Sequence, residues 1–355
     1  MKIERLIYSS LLLGMLSVAG CHSAPIESQP SIKTVSKTST STAITNRADQ
    51  MTKAFKLKGL AVIIRRKGET LLEYTTGNYS LDTNVPIASA TKWVTAALVM
   101  TVVEKEGFDL DAPLATLLEN VPEDKAGLTT RQLLSHTSGL PGNHALSSSL
   151  SQPMGEAVDK LLSSKLVAPP GEKVIYGGVS MQIGGYAASK RAGKGWQQLF
   201  EERIKTPLGW QDVVWSHPIR GSSGKAANPN LGAGLRLSAH DYISFLEMIA
   251  SGGIYNGTRI LTEESVSTIL TDNTKNASKD KLPAAADPSW GYGLGCWCED
   301  VSEQGACLVA NSAGAFGTYP WFDAKTGTYG VVVVQSRLPL IISDLRVIQE
   351  LANDL

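Results

Sequence analysis

The sequence has no excess of charge of either sign, because 33 basic residues balance 33 acidic residues in a chain of 355. Such a balance gives no electrostatic attraction to nucleic acid or to an anionic membrane surface. Beyond residue 18 there is also no long hydrophobic run, which excludes a protein with several membrane spans. What remains is 43% hydrophobic, enough to fill the core of one large domain or two ordinary ones.

Histidine and cysteine are scarce, with five and four residues. Cys296, Cys298 and Cys307 lie close together in the sequence, but no histidine follows His240, which argues against a metal site. In an oxidising compartment two of these cysteines are expected to pair. We predict a Cys298–Cys307 disulfide across a hairpin turn, with Cys296–Cys307 as the second possibility. No metal and no cofactor are expected.

The N-terminus has the pattern of an export signal. Lys2 and Arg5 precede an apolar stretch, Leu6–Val18, that is too short to span a bilayer comfortably. Small residues then lead directly into Cys21, which resembles the lipobox of bacterial lipoproteins. We therefore expect a signal peptide over residues 1–20 and a lipid on Cys21, with the protein facing an extracytoplasmic compartment. No Asp follows the cysteine, which favours the outer membrane where the host has one. An ordinary secretory signal is the alternative.

A polar segment follows the predicted lipidation site. Nine of the fifteen residues in Ser31–Thr45 are Ser or Thr, and none is aromatic. Such a composition buries too little apolar surface to fold. The sequence therefore predicts a flexible tether over residues 21–54, followed by a globular domain over residues 55–350.

Strand patterns occur at both ends of this domain, and helical patterns occur between them. Thr91–Glu106 has the length and apolar face of a helix, and Gly107 should end it. The fold class expected is α+β, in which both chain ends form one antiparallel sheet, with flanking helices, over about residues 55–88 and 285–355. Residues 89–284 should form a mostly helical insertion. The predicted strands are Gly59–Arg65, Thr70–Tyr74, Gly291–Trp297, Ala306–Ala310, Thr318–Phe322 and Thr328–Gln335, and the last helix is Ile341–Leu351.

Ser89-x-x-Lys92 opens the first long helix. Residues three apart share one helix face, so Lys92 can reach the Ser89 hydroxyl. The helix N-terminus adds a positive field and free N–H groups, as an activated serine nucleophile requires. The same spacing recurs at Ser222–Lys225 and Ser278–Lys281, but both lie in polar stretches without an apolar helix. The context therefore selects Ser89, and a simple helix cap is the alternative.

Further motifs, in order, resemble those of the serine β-lactamase-related family. These motifs cover roughly residues 55–345. Members of the family include class C β-lactamases, D-alanyl-D-alanine carboxypeptidases and β-lactamase-like carboxylesterases. The resemblance implies a β-lactamase/transpeptidase-like fold with the active site between the sheet and the helical insertion. The segments that carry it, after Ser89-x-x-Lys92, are Leu128–Leu140 (LTTRQLLSHTSGL), Pro170–Glu172, Tyr176, Ala233–Leu235, Asp241–Tyr242, Gly252–Gly257 and Gly314–Gly317.

The second family motif, Tyr-x-Asn, resembles Tyr176-Gly177-Gly178. The resemblance implies that Tyr176 is a general base together with Lys92, and a neighbouring ammonium is expected to lower the phenol pKa from about 10. Gly178 departs from the family pattern. It removes the side-chain amide that family members use to hold an acyl substituent and to position the lysine. This departure argues against tight recognition of amides and lactams.

The third family motif, Lys/His-x-Gly, has two candidate positions. Lys325-Thr326-Gly327 matches it literally, but the surrounding residues are typical of a hairpin turn. Ser312-Ala313-Gly314 is the better match, and it places Ser312 and Gly314 in the substrate groove beside Gly178. The backbone N–H groups of Ser89 and Ala315 would form the oxyanion hole. A serine in place of the cation loses a group that can bind a substrate carboxylate.

Several other residues allow different interpretations. Ala310–Gly314 approaches the nucleophile elbow of an α/β-hydrolase, but that fold needs a histidine further along the chain, and none follows. We interpret His136 as a hydrogen-bonding residue that structures its loop. Trp290, Trp297 and Trp321 belong either to the core or to the groove wall.

The sequence thus predicts a lipid-anchored serine hydrolase in which Ser89 is the nucleophile and Lys92 and Tyr176 move the proton. Carboxylic esters are the favoured substrates, since an ester leaves more easily than an amide and two groups that recognise peptides are missing. D-alanyl-D-alanine carboxypeptidase or β-lactamase activity is the alternative. A catalytically inert lipoprotein that binds a cell-wall fragment or a partner is an alternative of another class.

Overall fold

The computed structural model describes residues 39–149, 151–215, 226–280 and 282–355. The predicted signal peptide and Cys21 lie outside these ranges. The described helices are α1 (Ser39–Ala54), α2 (Thr91–Glu106), α3 (Thr130–Leu134), α4 (Met154–Leu162), α5 (Val179–Ala192), α6 (Trp196–Phe200), α7 (Ala239–Ala250), α8 (Glu263–Ile269) and α9 (Leu338–Ala352). The described strands are β1 (Gly59–Arg66), β2 (Glu69–Gly77), β3 (Val85–Pro86), β4 (Val214–Trp215), β5 (Leu235–Leu237), β6 (Ile254–Tyr255), β7 (Thr258–Arg259), β8 (Gly291–Tyr292), β9 (Trp297–Val301), β10 (Cys307–Asn311), β11 (Tyr319–Asp323) and β12 (Thr328–Val334).

One seven-stranded antiparallel sheet joins the two ends of the chain, in the order β2-β1-β12-β11-β10-β9-β8. β1 from the N-terminal part pairs with β12 from the C-terminal part, with Leu60 opposite Val334. This arrangement confirms the predicted α+β class. Between β2 and β8, the described residues form helices α2 to α8 and two small sheets, joined by loops.

The sheet is covered on both faces, which explains why β1 and β12 are apolar without alternation. Along β1, Leu60 and Val62 face one core while Ala61 and Ile63 face the other. The first core lies under α1 and α9. The second core continues into the helical insertion and contains most of α2, which is buried almost all round.

The tether prediction was wrong for residues 39–54, which form α1 and pack on the sheet. Ser41, Ile44, Thr45, Ala48 and Met51 recur at helical spacing and are buried. Three of these side chains are apolar, and they complete the core under α9. The high Ser and Thr content conceals this stripe, because hydroxyl side chains occupy both the solvent face and part of the buried face.

Within the described ranges, no helix combines the length and the apolar character needed to cross a membrane. One predicted strand also differs from the structure near β8. Gly291–Trp297, predicted as one strand, is two short strands separated by a turn in which Gly295 has a φ of 77°. That turn brings the backbone against α2, since a Cβ on Gly295 would lie 2.3 Å from the carbonyl oxygen of Lys92.

Candidate active site

Ser89 lies in a tight turn that leads from β3 into α2. A short 3-10 turn, Ala88–Ala90, precedes the helix, and Ala88 has a φ of 47°, in the left-handed region that alanine rarely adopts. Neighbouring elements hold this conformation, because Ile87 N–H donates to Leu235 O at 3.1 Å and the Tyr242 hydroxyl donates to Ala90 O at 2.7 Å. The turn leaves Ser89 partly exposed at the N-terminus of α2.

Lys92 lies one turn along α2 and is directed back at Ser89. Its Nζ donates to Ser89 Oγ at 3.0 Å and to Gly232 O at 2.9 Å. Only 3% of the residue is exposed, and this burial lowers the pKa of the amine from 10.5 to about 7. A substantial fraction of Lys92 is therefore neutral at physiological pH and can accept the hydroxyl proton of Ser89.

Tyr176 completes the group, but its pKa moves in the direction opposite to the one expected from the sequence. Burial raises the pKa of the phenol to about 12, and a side-chain hydrogen bond with Ser89 opposes that effect only in part. Desolvation of the buried phenol thus outweighs the lowering that was expected from the nearby ammonium. At these pKa values a neutral Lys92 amine can accept a proton near pH 7, and the Tyr176 phenol stays protonated.

A cluster of rings fixes the orientation of Tyr176. Its ring stacks on Trp297 with centroids 5.3 Å apart and contacts His136 at 4.7 Å. Lys92 Nζ lies 4.6 Å from the Tyr176 ring centroid. Tyr292 contacts His136 at 5.0 Å and Trp297 at 4.7 Å, so the rings support one another.

His136 has a different role from the one predicted. Its side chain is fully buried, and neither ring nitrogen has a hydrogen-bond partner among the described residues. Burial and the nearby charge of Lys92 hold the pKa of His136 well below 6.5. The hydrogen bonds that His136 makes come from its backbone instead, since His136 O accepts from Ile175 N–H at 2.8 Å. His136 is thus a neutral ring packed against Tyr176.

Two cavities meet at Ser89 and Tyr176. The larger cavity has a volume of about 670 Å³, and the smaller cavity has a volume of about 190 Å³ and a mainly apolar wall. Among the described residues that line them, Lys92 and His144 are the only basic side chains. The larger cavity is lined by Ser89, Lys92, Asn143, His144, Ala145, Ser147, Tyr176, Gly177, Gly178, Asn230, Gly232, Ala233, Leu282 and Pro283. The smaller cavity is lined by Ser89, Tyr176, Pro283, Ala284, Ala285, Ala286, Trp297, Asn311, Ala313, Ala315, Leu338 and Pro339.

The residues expected in the groove are distributed differently. Gly178 lines the larger cavity at the start of α5, and Ala315 lines the smaller one together with Ser89. Ser312 and Gly314 line neither cavity and lie beneath the Ser89 turn. Ser312 is buried and its hydroxyl donates to Ser89 O at 3.2 Å, while a Cβ on Gly314 would lie 2.1 Å from Ile87 O. Ser312 and Gly314 therefore pack against the backbone of the Ser89 turn and support it from below.

The other residues singled out in the sequence lie away from Ser89 or line the smaller cavity. Lys325 is in the turn between β11 and β12, as predicted, and forms an ion pair with Asp300 at 3.1 Å. Cys298 and Cys307 are joined by a disulfide between β9 and β10, and Cys296 is a buried free thiol whose pKa is raised by burial. Of the tryptophans, Trp321 belongs to the core, Trp297 lines the smaller cavity, and Trp290 packs beside Trp297. Ser222, Lys225 and Lys281 lie outside the described residues.

Sequence reasoning missed the segment that holds Lys92 from the far side. Asn230 and Gly232 line the larger cavity. Gly232, whose carbonyl accepts from Lys92, lies 140 positions after Lys92 in the chain. The stretch Asn228–Gly234 (NPNLGAG) is typical of a loop, but nothing in it indicates which side chain its carbonyls face. Within the described part of the chain, no three His, Cys, Asp or Glu side chains are grouped as a metal site requires.

Comparison with known proteins places this geometry in a family. The Beta-lactamase family model matches residues 36–352. The chain is 27% identical over 288 residues to the D-alanyl-D-alanine-carboxypeptidase/endopeptidase AmpH of Escherichia coli, covering 73% of this chain and 72% of AmpH.

Solved structures agree with the family match. A candidate β-lactamase of Bacteroides dorei is 31% identical with a TM-score of 0.77, covering 88% of this chain and 98% of that one. The hydrolase EstCE1, a protein with promiscuous acyltransferase activity, has the same fold at 18% identity and a TM-score of 0.72, with coverage of 88% and 98%. The resemblance stated from the motifs is thereby confirmed, and the chain belongs to the β-lactamase family, with the fold of its serine hydrolases.

Proposed function

We propose that the protein is a serine hydrolase that cleaves uncharged carboxylic esters through an acyl-enzyme on Ser89. The observation that carries this proposal is the 3.0 Å contact between Lys92 Nζ and Ser89 Oγ, in a site that lowers the lysine pKa to about 7. An amine that is partly neutral at physiological pH can remove the hydroxyl proton, which converts the serine into a nucleophile.

The proposed reaction proceeds in two halves. Ser89 Oγ forms a bond to the ester carbonyl carbon while its proton passes to Lys92, and the N–H groups of Ser89 and Ala315 stabilise the negative carbonyl oxygen. The bond from carbon to the alcohol oxygen then breaks, the alkoxide takes the phenol proton of Tyr176, and the Lys92 ammonium replaces that proton. Water subsequently hydrolyses the acyl-enzyme with the same groups in reverse order. No metal or cofactor takes part in this scheme.

The preference for esters rests on what surrounds the nucleophile. Gly178 has no side-chain amide that could bind a substrate amide. The Ser312 hydroxyl donates to the protein backbone beneath the site and so does not face the substrate. The described residues of the smaller cavity include no cation to bind a substrate carboxylate. An ester also asks less of the catalyst, because an alkoxide leaves more easily than an amine anion.

Cleavage of D-alanyl-D-alanine peptides or of β-lactams is the second candidate activity. The similarity to AmpH over 73% of this chain favours it. The two candidates differ in one respect that can be measured, since a peptide or a lactam carries a carboxylate that a simple ester lacks.

Labelling of the nucleophile tests the proposal. The purified protein is treated with a fluorophosphonate and, separately, with a penicillin, and its intact mass is measured. We expect a fluorophosphonate adduct that is lost in Ser89→Ala and retained in Ser278→Ala, a serine with the same spacing to a lysine. A penicillin adduct or turnover would favour the second candidate. A folded protein that reacts with neither reagent would refute the hydrolase proposal and favour a binding lipoprotein.

We further propose that the protein is anchored through a lipid on Cys21 and faces an extracytoplasmic compartment of a bacterium. The support is the short apolar stretch that ends in small residues before Cys21. Metabolic labelling with a fatty-acid analogue should mark the protein and fail to mark Cys21→Ser. Export without any label would favour the ordinary secretory signal.

A further inference from the structure

Gly232 presents the one backbone carbonyl that Lys92 Nζ contacts among the described residues, at 2.9 Å. This carbonyl belongs to a loop, residues 228–234, that is held between two helices of the insertion. Thr95 on α2 donates its hydroxyl to Leu231 O at 2.7 Å, and Gln182 on α5 accepts from Leu231 N–H at 3.0 Å. The loop is therefore fixed as a unit, but glycine at 232 leaves the direction of its own carbonyl undetermined.

Asn230 makes a hydrogen bond to the peptide on each side of Gly232, one through its side chain and one through its backbone oxygen. Its side-chain Oδ1 accepts from Gly232 N–H at 3.0 Å, and its backbone oxygen accepts from Ala233 N–H at 3.3 Å. The Ala233 N–H and the Gly232 carbonyl belong to one planar peptide, so they point in opposite directions. Holding the N–H toward Asn230 therefore turns the carbonyl toward Lys92. Asn230 fixes the peptides on both sides of Gly232.

The space next to Gly178 is not filled by a side-chain amide, so another residue must hold Lys92 in place. A Cβ on Gly178 would meet only Ser147, with its nearest atom at 3.6 Å, so the place for a side chain is open. Asn230 Oδ1 and Lys92 Nζ each lie 3.5 Å from the position of a Cβ on Gly232, and the Cα of Gly178 lies 3.2 Å from that same position. The Asn230 amide oxygen, Lys92 Nζ and the Cα of Gly178 thus surround one position next to Gly232.

We propose that Asn230 is the positioning residue for Lys92 and does the work that a side-chain amide at position 178 would otherwise do. The proposal rests on the proposed function, in which Lys92 is the base of Ser89. It makes Asn230 part of the proton-transfer machinery through Gly232, without contact with the reacting atoms.

The isosteric variant Asn230→Asp gives a readout that a purely structural role would not move. Its carboxylate can still accept from Gly232 N–H, but it adds a negative charge within about 7 Å of Lys92 Nζ, at which distance an effective dielectric constant near 20 raises the lysine pKa by about one to two units. His144 lines the same cavity, and the titratable side chains next to Lys92 among the described residues are Tyr176 and His136. Both are neutral near pH 7 because they are buried, so neither cancels the new charge.

The experiment compares pH profiles of kcat/KM for a chromogenic ester. We expect Asn230→Asp to move the acid limb upward by one to two pH units and to regain near wild-type activity at high pH. Asn230→Ala should lose at least tenfold in kcat, and adding Gly178→Asn should restore part of that loss. The control Asn120→Asp adds the same charge at an exposed residue that lines neither cavity, and its profile should match the wild type.

An acid limb that stays in place in Asn230→Asp, or full kcat in Asn230→Ala, would overturn the proposal. If Asn230→Ala does not fold, an acid limb that stays in place in the isosteric variant still overturns the proposal. A wild-type protein with no turnover and no Ser89 adduct would instead contradict the proposed function. The lysine titration then remains measurable by NMR of ¹³Cε-labelled lysine, assigned with Lys92→Met, and an unshifted Lys92 in Asn230→Asp would refute the positioning role independently.

Discussion

Replacing Lys92 by methionine should give a protein that is inactive but more stable than the wild type. The lysine is 3% exposed, and burial lowers its pKa from 10.5 to about 7. The folded state therefore holds the ammonium less favourably than the unfolded state does. Methionine has a similar length and fills the same space without a group that must be desolvated.

The expected magnitude follows from the pKa. A difference of one pKa unit corresponds to about 1.4 kcal/mol, so the lowering of the Lys92 pKa from 10.5 to about 7 destabilises the folded state by about 4 kcal/mol at pH 7. The two hydrogen bonds that Nζ makes, to Ser89 and Gly232, contribute about 1 kcal/mol each in the opposite sense. Lys92→Met should therefore raise the free energy of unfolding by about 2 kcal/mol at pH 7.

The difference in stability between the wild type and Lys92→Met should also depend on pH. Between about pH 7 and pH 10.5 the unfolded state keeps its proton on Lys92 while the folded state has lost it, so the unfolded state binds more protons. The stability of the wild type relative to Lys92→Met must then rise with pH, by about 3 kcal/mol from pH 6 to pH 9. The advantage of the variant should shrink across this window and disappear near its upper end.

Urea unfolding of both proteins at several pH values between 6 and 9 measures this difference. Lys325→Met removes an exposed lysine and serves as the control, with little change at any pH. A variant Lys92→Met that is no more stable than the wild type at pH 6, with a difference that does not vary with pH, would refute the assignment of a discharged lysine at the site.

Three further predictions concern the supports of the site. Gly314→Ala should reduce the rate of fluorophosphonate labelling at least tenfold, because its Cβ would lie 2.1 Å from the carbonyl oxygen of Ile87 next to the nucleophile turn; Gly127→Ala, where a Cβ meets open space, should react normally. His136→Ala should lower the free energy of unfolding by about 3 kcal/mol and slow the labelling, since it removes the ring packed on Tyr176, while His136→Phe should retain most of both properties. The double variant Cys298→Ala/Cys307→Ala should lose about 3 kcal/mol in urea unfolding, the chain entropy of a loop with a sequence separation of nine residues; no change would mean that the pair is reduced in the native protein.

Local sequence patterns predicted much of the fold. α2 has the predicted bounds, Thr91–Glu106, because its helical periodicity and the left-handed Gly107 after it are properties of adjacent residues. That one sheet contains strands from both chain ends also follows from the positions of the strand patterns, but the order of its strands came from the structure. α1 was missed because its apolar stripe is short, and its helical structure depends on contact with the sheet and α9.

The sequence by itself determined which residues the proposed chemistry uses: a serine and a lysine one helical turn apart, a tyrosine in a family motif, and a departure at Gly178. Spacing along a helix and the identity of a side chain are local facts, so these could be read directly. Only the tertiary structure decided the protonation states, because the pKa values of Lys92 and Tyr176 depend on burial by distant segments. It alone also decided that Asn230 and Gly232 hold Lys92, since that contact joins residues far apart in the chain, whose proximity no local pattern records.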